Sequence, residues 1–281
     1  MILRKQKIKQ MMDLIKSKEL IFNFKKLLGI LILLLFCCLL FACEKQSLPV
    51  DTSKKELLIY CGTTMAPTIR QLADMFEQNE HCTVKIIRGG SGNLYRSIKI
   101  NQVGDLYLPG SESYIEKLRA EGVIVASQPI GVNRAVLLVA KGNPLNISAD
   151  LNNFINGKYR TILGTSESGS IGRETRFIFS VEGIYQEAIT QAILLATDSK
   201  DIEQAMGANQ ADLAINWSAA TLNARDNQID ILRLDDAIAP PHTLSLGLLK
   251  TSYHPALARR FMAWINSKEG QVILSRYGLE D

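Results

Sequence analysis

Apolar residues along the chain alternate between short continuous runs and stripes at helical spacing. The first run, Leu57–Tyr60, is followed by a segment that places Met65, Ile69 and Leu72 on one face of a helix. The next run, Thr83–Arg88, leads into a glycine-rich turn and a second helical segment. Because strands that alternate with helices usually pair in parallel, the pattern predicts an α/β protein.

The alternation continues along the rest of the chain. Further strands are predicted at Asp105–Leu108, Arg134–Ala140, Arg160–Leu163, Asp212–Asn216, Ile229–Leu232 and Leu244–Lys250. Later helices are predicted at Gln186–Leu195, Asp198–Asn209 and Pro255–Ser267. This order indicates two lobes, each a mostly parallel sheet flanked by helices, with a ligand cleft between them. We assign residues 56–130 and 243–281 to lobe 1 and residues 131–242 to lobe 2.

The N-terminal region contains an unbroken apolar run, Leu27–Ala42, which follows Lys25 and Lys26 and ends directly before Cys43. A basic flank and a short apolar segment are typical of an export signal, and a membrane span would need about 20 apolar residues. The ending Leu40–Cys43 resembles a bacterial lipobox, which implies that Cys43 receives lipid. Residues 1–43 would then be signal peptide and lipobox, and residues 44–55 a polar tether. The alternative is an uncleaved N-terminal anchor, and either would hold the remainder outside the cytoplasm.

Charge gives no indication of a nucleic-acid partner. The chain carries 32 Lys and Arg against 28 Asp and Glu, a net charge of +4. Residues 1–42 contain eight of the basic and two of the acidic residues, so the remainder has 24 basic and 26 acidic residues. A nucleic-acid-binding protein would be expected to present a clustered basic face, which this part lacks.

Two cysteines, Cys61 and Cys82, follow the lipobox. If the strands beside them are parallel neighbours, the thiols lie at opposite ends, roughly 15 Å apart, beyond disulfide reach. We expect both to be buried free thiols.

The residue inventory argues against an enzyme. The three histidines, His81, His242 and His254, stand at no metal-binding spacing. There is no dinucleotide fingerprint and no phosphate-loop lysine motif. We therefore predict a binding protein with no cofactor and no bound metal. An enzyme or a ligand sensor on the same fold is the alternative, and Cys61 is the only reactive side-chain type near the first turn.

Small hydroxyl residues recur in the predicted strand-to-helix turns. They are Thr63, Thr64, Ser91, Ser168, Ser170 and Ser199. In an open parallel sheet these turns emerge at the carboxyl edge, where ligands bind, and helix N-termini there favour an anion. Each hydroxyl taken alone could be an ordinary helix cap. Taken together, and drawn from both lobes, they predict an anion site.

Several segments resemble the molybdate-binding type of periplasmic substrate-binding protein, within the type II superfamily. They are Leu57–Pro67, Gly89–Leu94, Gly104–Tyr107, Lys141–Pro144, Ser267–Gly270 and Tyr277–Gly278. The resemblance covers nearly all of residues 56–280. It implies a monomer whose two lobes close on a tetrahedral oxyanion, molybdate or tungstate first, and deliver it to the permease of an ABC importer.

The resemblance also implies a set of ligand-binding residues. A first-turn hydroxyl maps onto Thr63 or Thr64, and a second-turn hydroxyl onto Ser91. Lobe 2 would add main-chain amides near Ser170 and Ser199, and Trp217 would replace a tyrosine as an aromatic donor. Additional candidates are Gly90, Tyr107, Ser168 and Arg173.

The choice of oxyanion depends on hydrogen-bond type. Molybdate, tungstate and sulfate only accept hydrogen bonds, so a site made of donors alone suits them and is what we expect. Phosphate keeps a proton and favours an acceptor such as Asp105, which is expected instead to hold neighbouring backbone at the far edge of the sheet. Tyr107 either reaches the cleft or is a half-buried sheet residue. If Arg173 faces the cleft rather than solvent, sulfate, phosphate or a small carboxylate gains support.

Overall fold

The computed structural model describes residues 55–222 and 228–279, with the side chains of residues 221 and 222 excepted. The predicted export signal, the lipobox with Cys43 and all but the last residue of the tether lie outside these ranges. Within them, no helix combines the length and the apolar character that crossing a membrane requires.

The described residues contain ten strands. In chain order they are β1 (Glu56–Gly62), β2 (Thr83–Gly89), β3 (Leu106–Leu108), β4 (Ile124–Asn133), β5 (Ala135–Ala140), β6 (Thr161–Gly164), β7 (Leu194–Ala196), β8 (Leu213–Trp217), β9 (Ile229–Arg233) and β10 (His242–Leu249). The α-helices of the same residues are α1 (Ala66–Glu80), α2 (Ser91–Asn101), α3 (Glu112–Ala120), α4 (Ser170–Val181), α5 (Tyr185–Gln191), α6 (Ser199–Gly207), α7 (Ser218–Leu222), α8 (Pro255–Ile265) and α9 (Lys268–Arg276).

The strands form two five-stranded sheets with the same arrangement. Their orders are β2-β1-β3-β10-β4 and β7-β6-β8-β5-β9. In each sheet one strand, β10 or β5, runs opposite to the other four. We call the first sheet with α1–α3, α8 and α9 lobe 1, and the second sheet with α4–α7 lobe 2. The predicted two-lobed α/β architecture is confirmed, and the chain passes between the lobes after β4 and again before β10.

Each lobe is built on its own apolar core. In lobe 1, the buried stripe of α1 includes Ile69, Leu72 and Phe76. The Phe76 ring meets the Phe261 ring of α8 edge-on, with the ring centroids 5.0 Å apart. Burying each such side chain contributes about 1.5 to 3 kcal/mol to the free energy of unfolding, so this packing stabilises lobe 1.

Two elements differ from the sequence prediction. Strand β4 was not predicted, because Pro129 and Gly131 interrupt its apolar pattern, and the pairing of β4 with β10 shifts register at that point. The helix predicted for Gln186–Leu195 ends at Gln191, and Leu194–Ala196 forms β7 instead. A short apolar run does not by itself distinguish a strand from a helix end.

The two cysteines of the described region are free, as predicted. Parallel pairing places Cys61 opposite Arg88 at one end of β1, whereas Cys82 precedes Thr83, which pairs with Glu56 at the other end. Cys61 is fully buried. The prediction that both thiols are buried is wrong for Cys82, which is only partly buried because it lies in the turn between α1 and β2.

Candidate anion site between the lobes

The carboxyl ends of strands from both lobes meet around a cavity of about 10 Å³, which is the room that one water needs. We call this cavity and its lining the cradle. Its lining residues are Gly62, Thr63, Thr64, Met65, Gly89, Gly90, Ser91, Gly110, Gly169, Ser170, Asp198 and Ser199. The fold thus brings six predicted site residues together: Thr63, Thr64, Gly90, Ser91, Ser170 and Ser199.

Helix capping does not explain the hydroxyls of the cradle. The N-cap of α1 is Met65, that of α4 is Gly169 and that of α6 is Asp198. Thr64, Ser170 and Ser199, for which capping was the ordinary alternative, therefore occupy other positions. Ser170 and Ser199 are the first residues of their helices.

Ser91 is held by two groups of lobe 1. Its Oγ accepts a hydrogen bond from the Gly110 amide at 3.0 Å, and its carbonyl accepts one from the Tyr107 hydroxyl at 2.8 Å. Tyr107 is fully buried, not half-buried, and burial raises the pKa of its hydroxyl well above the ordinary value. Since the Ser91 oxygen already accepts from Gly110, its own proton remains for a further acceptor.

Ser170 is held in the same way in lobe 2. Its Oγ accepts a hydrogen bond from the Trp217 indole Nε1 at 2.9 Å, and both side chains are buried. The Ser170 proton is therefore also left to donate. Trp217 lies at the end of β8 and gives its N–H to Ser170, so it acts on the cradle through that serine in this structure.

Gly110 allows the two serines to approach each other. A Cβ atom at this position would lie 2.3 Å from the Ser170 Oγ and 3.3 Å from the Trp217 Nε1. The Ser91 and Ser170 hydroxyls thus flank one glycine from opposite lobes. Gly110 was not predicted as a site residue, although it follows the third strand in the same kind of turn as the predicted residues.

Ser168 and Gly90 form a direct contact between the lobes. The amides of Gly92 and Asn93, in the first turn of α2, donate to the Ser168 carbonyl at 2.9 and 3.2 Å. A Cβ atom at Gly90 would lie 2.4 Å from that carbonyl oxygen, so a glycine is needed there. The Ser168 hydroxyl donates to the Thr197 carbonyl at 2.6 Å. The N-terminus of α2 is therefore occupied by the backbone of lobe 2.

Asp198 is a cradle residue that sequence reasoning missed. One carboxylate oxygen caps α6 by accepting from the amides of Lys200 and Asp201 at 2.8 and 3.3 Å. The other accepts from the Thr63 hydroxyl of lobe 1 at 2.9 Å. The expectation of a site made only of donors is wrong, because this carboxylate lines the cradle. The sequence feature that could have identified Asp198 is an aspartate, a favoured N-cap residue, directly before the predicted helix residue Ser199.

Arg173 does not line the cradle. Its guanidinium lies over the ring of Tyr114 in lobe 1, with 5.3 Å between its central carbon and the ring centroid, and the residue is exposed. Burial raises the pKa of the Tyr114 hydroxyl, and Arg173 acts against that rise. Arg173 therefore gives no reason to prefer sulfate, phosphate or a small carboxylate as the ligand.

Asp105 holds backbone, as predicted. Its carboxylate accepts from the Leu58 amide at 2.8 Å and from the Ser252 hydroxyl at 2.5 Å, at the end of the sheet opposite the cradle.

A two-lobed α/β fold with a small polar site enclosed between the lobes is the architecture of a solute-binding protein. Residues 57–280 match the family described as bacterial extracellular solute-binding protein, and the chain belongs to this family. The predicted resemblance to molybdate-binding periplasmic proteins is confirmed.

Three similar proteins illustrate the relationship. The molybdate-binding protein ModA of Mycobacterium tuberculosis is 21% identical over 229 residues, which cover 80% of this chain and 84% of that protein. The structure of the Azotobacter vinelandii periplasmic molybdate-binding protein has a TM-score of 0.69 at 20% identity and covers 79% of this chain and 97% of that chain. The sulfate-binding protein SubI of M. tuberculosis has a TM-score of 0.68 at 14% identity, covering 80% and 86%. At these identities the structures establish the fold alone.

Proposed function

We propose that this chain is an extracytoplasmic receptor that binds one small tetrahedral oxyanion between its lobes and delivers it to the permease of an ABC importer. Molybdate and tungstate are the first candidates. The observation that supports this most is the pair of hydroxyls on Ser91 and Ser170, one from each lobe. Each accepts a hydrogen bond from buried protein and keeps its proton for a ligand in the cradle.

The cradle suits an anion for two further reasons. Helix α4 begins at it without a side-chain cap, so its N-terminal partial charge is not offset by a carboxylate of its own, whereas the N-terminus of α2 is occupied by the Ser168 carbonyl. Burial away from water strengthens each hydrogen bond to a charged ligand. A tetrahedral oxyanion is larger than a water, so the lobes must separate slightly to admit it. Ligand binding would then shift an equilibrium between open and closed forms, which the permease reads.

Phosphate is the second candidate, and Asp198 is the observation that favours it. Phosphate keeps a proton near neutral pH, and the carboxylate in the cradle can accept it. For molybdate, tungstate or sulfate the same carboxylate would be a repulsive neighbour. A ligand sensor built on the same fold would bind the same anions and differ only in its partner protein.

The proposal includes a lipid anchor on Cys43, which supports a location on the outer side of a membrane. The support is the basic flank, the apolar run and the lipobox-like ending of the sequence. Replacing Cys43 with alanine should move the protein from the membrane fraction to the soluble fraction or leave it unprocessed. Membrane association and processing identical to those of the wild type would contradict the anchor.

The direct test is a thermal-unfolding screen of the protein extracted from membranes in detergent. Molybdate, tungstate, sulfate, phosphate and small carboxylates are added separately. A ligand at 100 times its dissociation constant adds about 2.7 kcal/mol to the free energy of unfolding, which raises the Tm by several degrees. The Ser91→Ala variant should lose most of this rise. If no oxyanion raises the Tm, the proposed function is wrong.

A further inference from the structure

A larger cavity, of about 400 Å³, adjoins the cradle between the lobes. We call it the side cavity. It is lined by Thr63, Thr64, Pro67, Arg88, Ser199, Lys200, Glu203, Gln204 and Ala220. Thr63, Thr64 and Ser199 line both cavities, so the two are neighbours with a common wall. A volume of about 400 Å³ lies within the range of small-molecule sites, whereas the cradle has the size of one water.

The side cavity carries two cations from opposite lobes. Arg88 comes from the end of β2 in lobe 1, and Lys200 comes from the first turn of α6 in lobe 2. Neither side chain forms a salt bridge within the part of the chain that the structure describes, and both are exposed. Arg70, Lys85, Lys141 and Arg160, by contrast, are each paired with a carboxylate.

One carboxylate and one amide complete the polar lining. Glu203 is partly buried, and its burial raises the pKa of the carboxyl while the Lys200 charge acts against that rise. Gln204 adds an amide. Two cations against one carboxyl group leave the cavity positive, so it favours an anionic group over a neutral or cationic one.

We propose that the side cavity is a second ligand subsite, and that the ligand is an organic oxyanion, such as a phosphate or phosphonate, that also carries a carboxylate. Its oxyanion group lies in the cradle, and its carboxylate pairs with Arg88 and Lys200. This inference rests on the proposed function and narrows its substrate class. Asp198, which lines the cradle, accepts the proton that such an oxyanion keeps.

The test uses matched pairs of compounds that differ only in the carboxylate. The pairs are 3-phosphonopropionate with ethylphosphonate, and 4-phosphonobutyrate with propylphosphonate. Each is titrated calorimetrically into the detergent-extracted protein, and the readout is the ratio of the two affinities within a pair. We expect the carboxylate to improve affinity at least tenfold for one chain length.

Variants show which residues cause the improvement in affinity that the ligand carboxylate gives. Arg88→Gln and Lys200→Gln should each lower the ratio about tenfold. Arg259→Gln and Lys250→Gln remove the same charges from exposed positions that do not line the side cavity, and should leave the ratio unchanged. The Ser91→Ala variant should weaken both members of a pair and keep the ratio.

The outcomes separate this inference from the proposed function. A ratio near one in the wild type, or a ratio that Arg88→Gln and Lys200→Gln do not change, overturns the subsite. If inorganic oxyanions still bind in that case, the proposed function survives. If neither inorganic oxyanions nor phosphonates bind, both proposals fall.

Discussion

The indole Nε1 of Trp217 donates to the Ser170 Oγ over 2.9 Å, and this hydrogen bond leaves the Ser170 proton for another acceptor. Because the serine oxygen already accepts from the indole, its proton is available to a ligand in the cradle. The Gly110 amide does the same for Ser91 in lobe 1. The two lobes therefore present matching donors, each oriented by a buried group behind it.

Removing the indole donor should weaken ligand binding without removing the ring. In Trp217→Phe the Ser170 hydroxyl loses its fixed orientation and can donate elsewhere. We expect about a tenfold loss in affinity for the best oxyanion, measured by calorimetry, in line with about 1.5 kcal/mol for a hydrogen bond to a charged group.

The matched control is Trp264→Phe, which removes an indole donor to the Leu72 carbonyl in lobe 1. This change should lower stability without changing affinity. Equal affinity losses in the two variants would show that Trp217 does not act on the ligand through Ser170.

Gly110→Ala tests whether the serines must approach across this glycine. The added Cβ would lie 2.3 Å from the Ser170 Oγ, so the lobes could not close as far. We expect at least a tenfold loss in affinity with little change in the Tm of the ligand-free protein. Gly207→Ala, where a Cβ meets nothing within 4 Å, should bind normally. Wild-type affinity in Gly110→Ala would show that ligand binding does not require Ser91 and Ser170 to approach each other across this glycine.

Much of this site could be predicted from the sequence because it is made of local features. The turns that contain Thr63, Ser91 and Ser170 follow recognisable strands, and the strand order of the fold brings them to one place. What could not be predicted depends on distant pairs. Strand β4 was hidden by Pro129 and Gly131, and its existence depends on pairing with β10.

The roles of individual donors were also beyond the sequence. Trp217 was expected to contact the ligand, but its partner Ser170 lies 47 residues away in the chain. Asp198 could be recognised as a helix cap, but its bond to Thr63 joins residues from different lobes. Such contacts depend on how segments distant in the sequence pack together, which no local pattern encodes.

The stability of the protein should depend on pH through His242 and Glu174. Their side chains are 2.8 Å apart, and the hydrogen bond to the Glu174 carboxylate raises the pKa of His242 above its ordinary value of 6.5, with burial acting against it. A raised pKa in the folded state adds stability that is fully present below the unfolded-state pKa and is lost as pH rises through the folded-state pKa.

Chemical denaturation of wild type and Glu174→Gln from pH 5.5 to 8 checks this. The wild type should be more stable by about 1 to 2 kcal/mol at the acid end, and the difference should shrink as pH rises. Glu80→Gln breaks a pair with Arg260 that contains no histidine, so its effect on stability should be constant over this range. If the stability difference between wild type and Glu174→Gln also stays constant from pH 5.5 to 8, the linkage is contradicted.

The two thiols should react at different rates in the native protein. Cys61 is fully buried, and burial raises the pKa of its thiol, so it should react only after unfolding. Cys82 is partly buried and should react with a thiol reagent under native conditions. Counting labelled sites by mass spectrometry before and after denaturation separates the two. Native labelling of Cys61 would contradict the buried position.

The central claim is that Ser91 and Ser170 bind the same oxyanion from opposite lobes. Calorimetric titration of the best oxyanion into wild type, Ser91→Ala, Ser170→Ala and the double variant tests it most directly. Each single change should cost about 1.5 to 3 kcal/mol of binding, and the double variant should show no measurable binding. Wild-type affinity in the double variant would contradict the claim.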